Sequence, residues 1–163
     1  MNPPTLLNDI IFKIVFGSQQ NEALLRALLN ALLGFQGQER ITELEILSPH
    51  VDKEYLAERG VILDVKARDG LGRRFNIEVQ VSNEPDYIAR SLYYLARLFG
   101  EQLERGEPYG RIARTIGISL LDYNLFPDLA DLHSIYRFYD ATHQRELSDI
   151  LEIHYIELRK FKL

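Results

Sequence analysis

The stretch GVILDVKARDGLGRRFNIEVQVSNEP, starting at Gly60, constrains the fold more than any other part of the chain. Two apolar runs of period two flank the turn residues Asp69 to Gly72, the pattern of a β-hairpin. Side chains alternate along a strand, so Val61, Leu63, Val65 and Ala67 share one face with Phe75, Ile77, Val79 and Val81 of the partner. A two-residue loop would set these apolar faces against each other and is rejected, because a one-residue slip moves every side chain to the other side of the sheet. A three-residue loop, Gly70 to Gly72, places Asp69 opposite Arg73 and Asp64 opposite Glu78. A five-residue loop places Asp64 opposite Gln80. In either register two acids come together in the most apolar strands of the chain.

Like charges facing each other across a strand pair are destabilising unless something compensates them. A divalent cation is one compensator: Mg²⁺ takes oxygen ligands, keeps several waters and needs one or two carboxylates. The plainer reading is two acids on a solvent face, paired with Lys66, Arg68 or Arg74.

The other elements follow from periodicity. Asn21 to Gly34 places Leu24, Leu25, Leu28, Leu29, Leu32 and Leu33 at helical spacing, with Gly34 as the stop. Ile41 to Leu47 alternates as a half-buried strand. A second helix is expected to open at Pro85, carry an apolar stripe of Ile88, Leu92, Leu95, Phe99 and Leu103, and end at Gly106. Arg114 to Asp122 is a continuous apolar run suited to a strand buried on both faces. SIYRFYDA and DILEIHYIEL predict two further strands. The order helix, strand, strand, strand, helix, strand, with extra C-terminal strands, predicts an α/β (α+β) mixed sheet with helices packed on it.

Composition narrows the function. The 163 residues suit a single domain. With no cysteine, disulfides and thiolate metal sites are excluded. His50, His133, His143 and His154 have no zinc-ligand spacing, and no nucleotide-binding fingerprint or hydrolase elbow occurs. The N-terminus lacks a basic signal region and no run is apolar enough to span a bilayer, so a cytoplasmic protein without a membrane partner is expected. The net charge of −5 argues against general nucleic-acid affinity but leaves room for a local basic surface. Tyr87, Arg90, Tyr94 and Arg97 recur at helical spacing off the expected stripe. Aromatic rings and guanidinium groups together can stack on bases and hold phosphates, or form a solvated face with the rings packed at its edge.

Several stretches taken together resemble a known family: NDIIFKIVFG from Asn8, LLNALLG from Leu28, ILDVKARDGLGRRFNIEVQV, YIARSLYYLARLFGEQLERGEPY, IGISLLDYNLF and LEIHYIELRKF. The set resembles the PD-(D/E)XK nuclease superfamily, and within it the transposase-associated recombination-promoting nucleases. That superfamily has a restriction-endonuclease-like helix, three-strand, helix, strand core, with an Asp on the second strand and Glu-x-Lys on the third. The likeness covers almost all of residues 1–163, read as one nuclease-like domain. Family members often continue further, so the chain reads as either a short member or a truncated one.

The resemblance implies roles. Asp64 matches the second-strand acid, Glu78 matches the acid of Glu-x-Lys, and Gln80 stands where Lys is usual. Asp64, Glu78 and the backbone carbonyl of Val79 are implied ligands of Mg²⁺ or Mn²⁺, and DNA is the implied partner. The implied activity is metal-assisted hydrolysis of a DNA phosphodiester in transposition or recombination. Gln carries no charge but can orient a water by hydrogen bonding. Lys66, on the face of Asp64, or Lys13 could supply the lost cation. A further acid could come from Asp9, preferred, or Glu22, although Asp9 and Lys13 also make an ordinary i,i+4 surface pair. Arg90 and Tyr94 match the family pattern as well. The main alternative is a catalytically degenerate nuclease fold that binds DNA or a protein, and a third is an oligomerisation module suggested by the surface tyrosines.

Overall fold

The structure is a computed structural model that describes Phe12 and residues 15–47 and 64–161. The N-terminal stretch with Asp9 and Lys13, the segment His50 to Gly60 and the beginning of the first hairpin strand lie outside the described residues.

Helix α1 spans Glu22–Leu33 and stops at Gly34, whose φ of 65° is the left-handed conformation that glycine adopts without a Cβ clash. Leu25 and Leu29 are fully buried, whereas Leu24 of the expected stripe is 54% exposed. The buried seam is therefore narrower than the leucine pattern suggests. Asn30 fixes the helix to the chain that follows: its amide donates to the Ile41 carbonyl and its Oδ1 accepts from the Ile41 N–H, both at 2.9 Å.

Strand β1 (Leu44–Ile46) pairs antiparallel with β2 (Val65–Asp69), which pairs antiparallel with β3 (Arg74–Gln80). Helix α2 (Tyr87–Gly100) then crosses to β4 (Thr115–Leu121), which lies parallel to β3. An antiparallel hairpin, β5 (His133–Asp140) and β6 (Arg145–Glu157), completes the sheet. The six-stranded order is β1-β2-β3-β4-β6-β5, with β6 parallel to β4. The expected mixed sheet, its element order and its two C-terminal strands are all present. Every residue of β4 is buried, as its unbroken apolar run requires.

The β2–β3 register is that of the three-residue loop. Val65 pairs with Ile77 and Ala67 with Phe75, and the Asp69 N–H donates to the Arg73 carbonyl. Gly72, at φ 81°, supplies the left-handed residue such a loop uses. Asp69 and Arg73 close the hairpin as a buried ion pair of 2.6 Å, and the Arg73 guanidinium stacks 4.5 Å over Phe35.

Two expectations need correction. α2 begins at Tyr87 after Asp86, whose φ is 63°, and ends at Gly100 rather than running from Pro85 to Gly106. Its buried face is Tyr87, Ser91, Leu95 and Leu98, while Ile88 and Leu92 are 42% and 47% exposed. The second correction explains the first. The face of β3 that carries Asn76 and Glu78 does not look outward to solvent: both residues are buried. β3 is an interior strand of a sheet with a helix on each side. One apolar core joins α1 to Val65, Phe75, Ile77 and Ile118. The other side gathers Tyr87 and Leu95 of α2 with Leu121, Tyr123, Ile153 and Tyr155. A helix laid on polar strand residues does better with Tyr and Ser inward than with Ile and Leu, because buried polar atoms need partners.

Candidate active site

The site is built where β2 enters the sheet and β3 leaves it. Continuing the β2–β3 register one step beyond Val65 and Ile77 sets Asp64 across from Glu78. Asp64 is partly exposed; Glu78 is 3% exposed beneath the first turn of α2. The Tyr87 hydroxyl donates to Glu78 Oε2 at 3.1 Å. Glu78 Oε1 is buried without a hydrogen-bond donor among the described residues, as is the neighbouring acceptor Asn76 Oδ1. Burial, and then the charge of Asp64, push the Glu78 carboxyl above the usual carboxylate range. Tyr87, Arg90 and Asn76 offset this in part. The Asn76 amide lies close enough to help, but its approach does not complete a hydrogen bond to Oε1.

Tyr87 departs from the expected exposed face of α2. It is 2% exposed, its ring edge-on to Tyr123 and Tyr155, and Tyr155 shares a 2.7 Å hydrogen bond with Ser91. Burial and the adjacent Glu78 raise its phenol far above the ordinary range, so it remains a protonated donor. The sequence contained a signal for this: Tyr87, Ser91, Leu95 and Leu98 are also at helical spacing. A stripe scored on apolarity alone passes over it.

The remaining candidates are dispersed. Gln80, half-buried, accepts a 2.8 Å hydrogen bond from Arg90 Nη2 and donates to the Ser82 carbonyl. Arg90 also pairs with Glu84 at 2.6 Å and lies 4.9 Å over the Tyr87 ring. Lys66 points its ammonium toward Glu101, 3.9 Å away and just past the C-terminal end of α2. The Val79 side chain is in the α1-side core, so only its backbone can serve the acids. Tyr94 is half-buried against Tyr93, and Arg97 is exposed beside Glu101. Glu22 pairs with Arg26 on α1.

Among the described residues no three His, Cys, Asp or Glu side chains cluster as a metal cage. Two facing carboxylates with an unsatisfied buried oxygen are nonetheless a donor set that fits a hard cation retaining most of its waters.

The model of the family described as PD-(D/E)XK nuclease family transposase matches residues 6–163. The chain belongs to this family. The six-stranded mixed sheet flanked by two helices is its restriction-endonuclease-like fold. No curated protein and no solved structure matches the chain. The chain is therefore a nuclease-fold, transposase-related protein.

Proposed function

We propose that this protein is a metal-dependent DNA endonuclease that hydrolyses phosphodiester bonds in transposition or recombination, acting in the cytoplasm. The observation that carries the reading is Glu78, a buried carboxylate set opposite Asp64 with one oxygen left without a donor among the described residues. Such an arrangement costs stability in the free protein, and a ligand cation relieves it.

Asp64, Glu78 and the Val79 carbonyl would hold Mg²⁺ or Mn²⁺. When bound, the cation supplies an activated water and neutralises charge on the phosphoryl and leaving oxygens. The protein's own groups prepare for this. Tyr87 grips Oε2 and so fixes the Glu78 carboxylate with Oε1 turned to a different environment. The raised Glu78 pKa means the site loads best once the pH is high enough to ionise Glu78. Gln80 is at the solvent-side end of the same strand face, where an amide can orient a water without acting as a base.

A binding-only descendant of the fold is the second reading, favoured by the absence of Lys at Gln80 and by the hydrogen bonds that already engage that amide. Nicking of supercoiled plasmid with and without Mg²⁺, for the wild type and for Asp64→Ala, separates the two. Mg²⁺-dependent nicking that Asp64→Ala abolishes supports the endonuclease. DNA binding without nicking in any divalent metal supports the binding module.

A further inference from the structure

We infer that Arg90 is the phosphate clamp of this site, carrying the positive charge that is missing at Gln80, and that Glu84 occupies the clamp in the free protein. The inference takes the identity of its anion, a DNA phosphate, from the endonuclease reading. Its geometry stands independently.

Arg90 is fixed from three sides. Its Nη2 donates to Gln80 Oε1 at 2.8 Å, its guanidinium lies 4.9 Å over the Tyr87 ring, and its Nη1 meets Glu84 Oε2 at 2.6 Å. Two of these contacts come from groups of the site itself, since Tyr87 also holds Glu78. A neutral amide at position 80 accepts from the guanidinium and orients it without adding charge. A Lys there would repel it. Gln80 and Arg90 thus form a unit in which the strand supplies the acceptor and the helix supplies the cation.

The third contact differs in kind. The Arg90 side chain is 23% exposed, but that of Glu84 is 49% exposed, and residues 81–86 are exposed throughout. Glu84 is thus the exchangeable partner. A guanidinium offers five donors in a planar fork that matches a carboxylate or a phosphate equally well. Gln80 holds Nη2 and Glu84 holds Nη1, while the buried Nε has no hydrogen-bond partner among the described residues. A phosphodiester can therefore take the place of the Glu84 carboxylate and leave the Gln80 and Tyr87 contacts intact. The alternative cations are less well placed: Lys66 is turned toward Glu101, and Arg97 pairs with the same residue away from Glu78.

The test is fluorescence anisotropy of the full chain with a short labelled duplex in EDTA across a salt series, alongside plasmid nicking in Mg²⁺. Arg90→Ala should weaken binding about tenfold and lower the salt slope by about one, as loss of one phosphate contact does. Arg90→Lys should fall between Ala and wild type, and it serves as the working variant if Arg90→Ala does not fold. Glu84→Gln should tighten binding several-fold. Wild-type affinity and slope in Arg90→Ala, or no tightening in Glu84→Gln, overturns the clamp. If the predicted binding pattern holds while wild type never nicks, the clamp stands and the endonuclease reading falls.

Discussion

Replacing Glu78 with Gln should make the protein more stable at neutral pH. Glu78 is 3% exposed, and burial followed by the Asp64 charge raises its pKa. Facing residues of antiparallel strands have Cβ atoms about 5 Å apart. Two charges roughly 5–6 Å apart at an effective dielectric of about 20 repel by about 3 kcal/mol. Gln removes that repulsion. Its carbonyl can still accept from Tyr87, and its NH₂ can donate to Asn76 Oδ1, which has no donor among the described residues in the wild type. The attraction to Arg90 is lost, and an amide hydrogen left unmet would cost about 1–3 kcal/mol. The expected net gain is about 1–2 kcal/mol, or roughly 2–8 °C in Tm for a domain of this size.

The pH dependence follows from the sign of the shift. A carboxyl whose folded pKa is raised contributes its stability below the unfolded glutamate pKa of about 4.3, and that contribution is lost as pH rises through the folded pKa. The advantage of Glu78→Gln should vanish near about pH 4 and grow until Glu78 is fully ionised. Thermal melts followed by circular dichroism in EDTA across that range measure it. Repeating them with Mg²⁺ should raise the Tm of the wild type but not of the variant. A variant less stable than wild type at neutral pH, or a difference that does not change with pH, would refute the argument.

Asp64→Ala should lose Mg²⁺ and Mn²⁺ binding in isothermal titration while the fold is kept; unfolding with unchanged metal affinity would make the acid structural. Gln80→Lys should give little gain in nicking, because its ammonium would face Arg90, whereas in an Arg90→Ala background it should restore activity; a large gain beside intact Arg90 would count against the pairing. Gly117→Ala should cost about 1–3 kcal/mol in urea unfolding, since its Cβ would lie 3.3 Å from Ile153 Cγ1 and 3.4 Å from Leu95 Cδ1. Glu152→Ala should cost about 3–5 kcal/mol, because Arg114, Arg137 and His154 all donate to this buried carboxylate. Burial opposes its ionisation, yet those donors hold it down to about 2, so its contribution should persist until the medium is strongly acidic.

The strands, their succession along the chain and the parity of the central hairpin are legible in the sequence. Alternation and loop length are local properties: they leave the three- and five-residue loops, both of which keep the apolar faces together, and the folded hairpin, closed by Gly72 and the Asp69–Arg73 pair, takes the first. Parity alone puts Asp64 and Glu78 on one face in either register, close enough to meet. Tertiary structure decided what covers them. Period-two patterning separates the two faces of a strand but cannot say that the polar face will also receive a helix, and so Glu78 read as a surface acid is in fact buried. The same fact turned the first two turns of α2. Leu95 of the apolar stripe packs on the sheet but Ile88 and Leu92 do not, because Asn76, Glu78 and Ser119 present polar atoms there and Tyr87 and Ser91 can satisfy polar neighbours where Ile88 and Leu92 cannot. The link from Arg90 to Gln80 is of this kind too: ten residues and a helix start separate them in the chain, and only the turn at Asp86 brings the guanidinium back over the strand it follows.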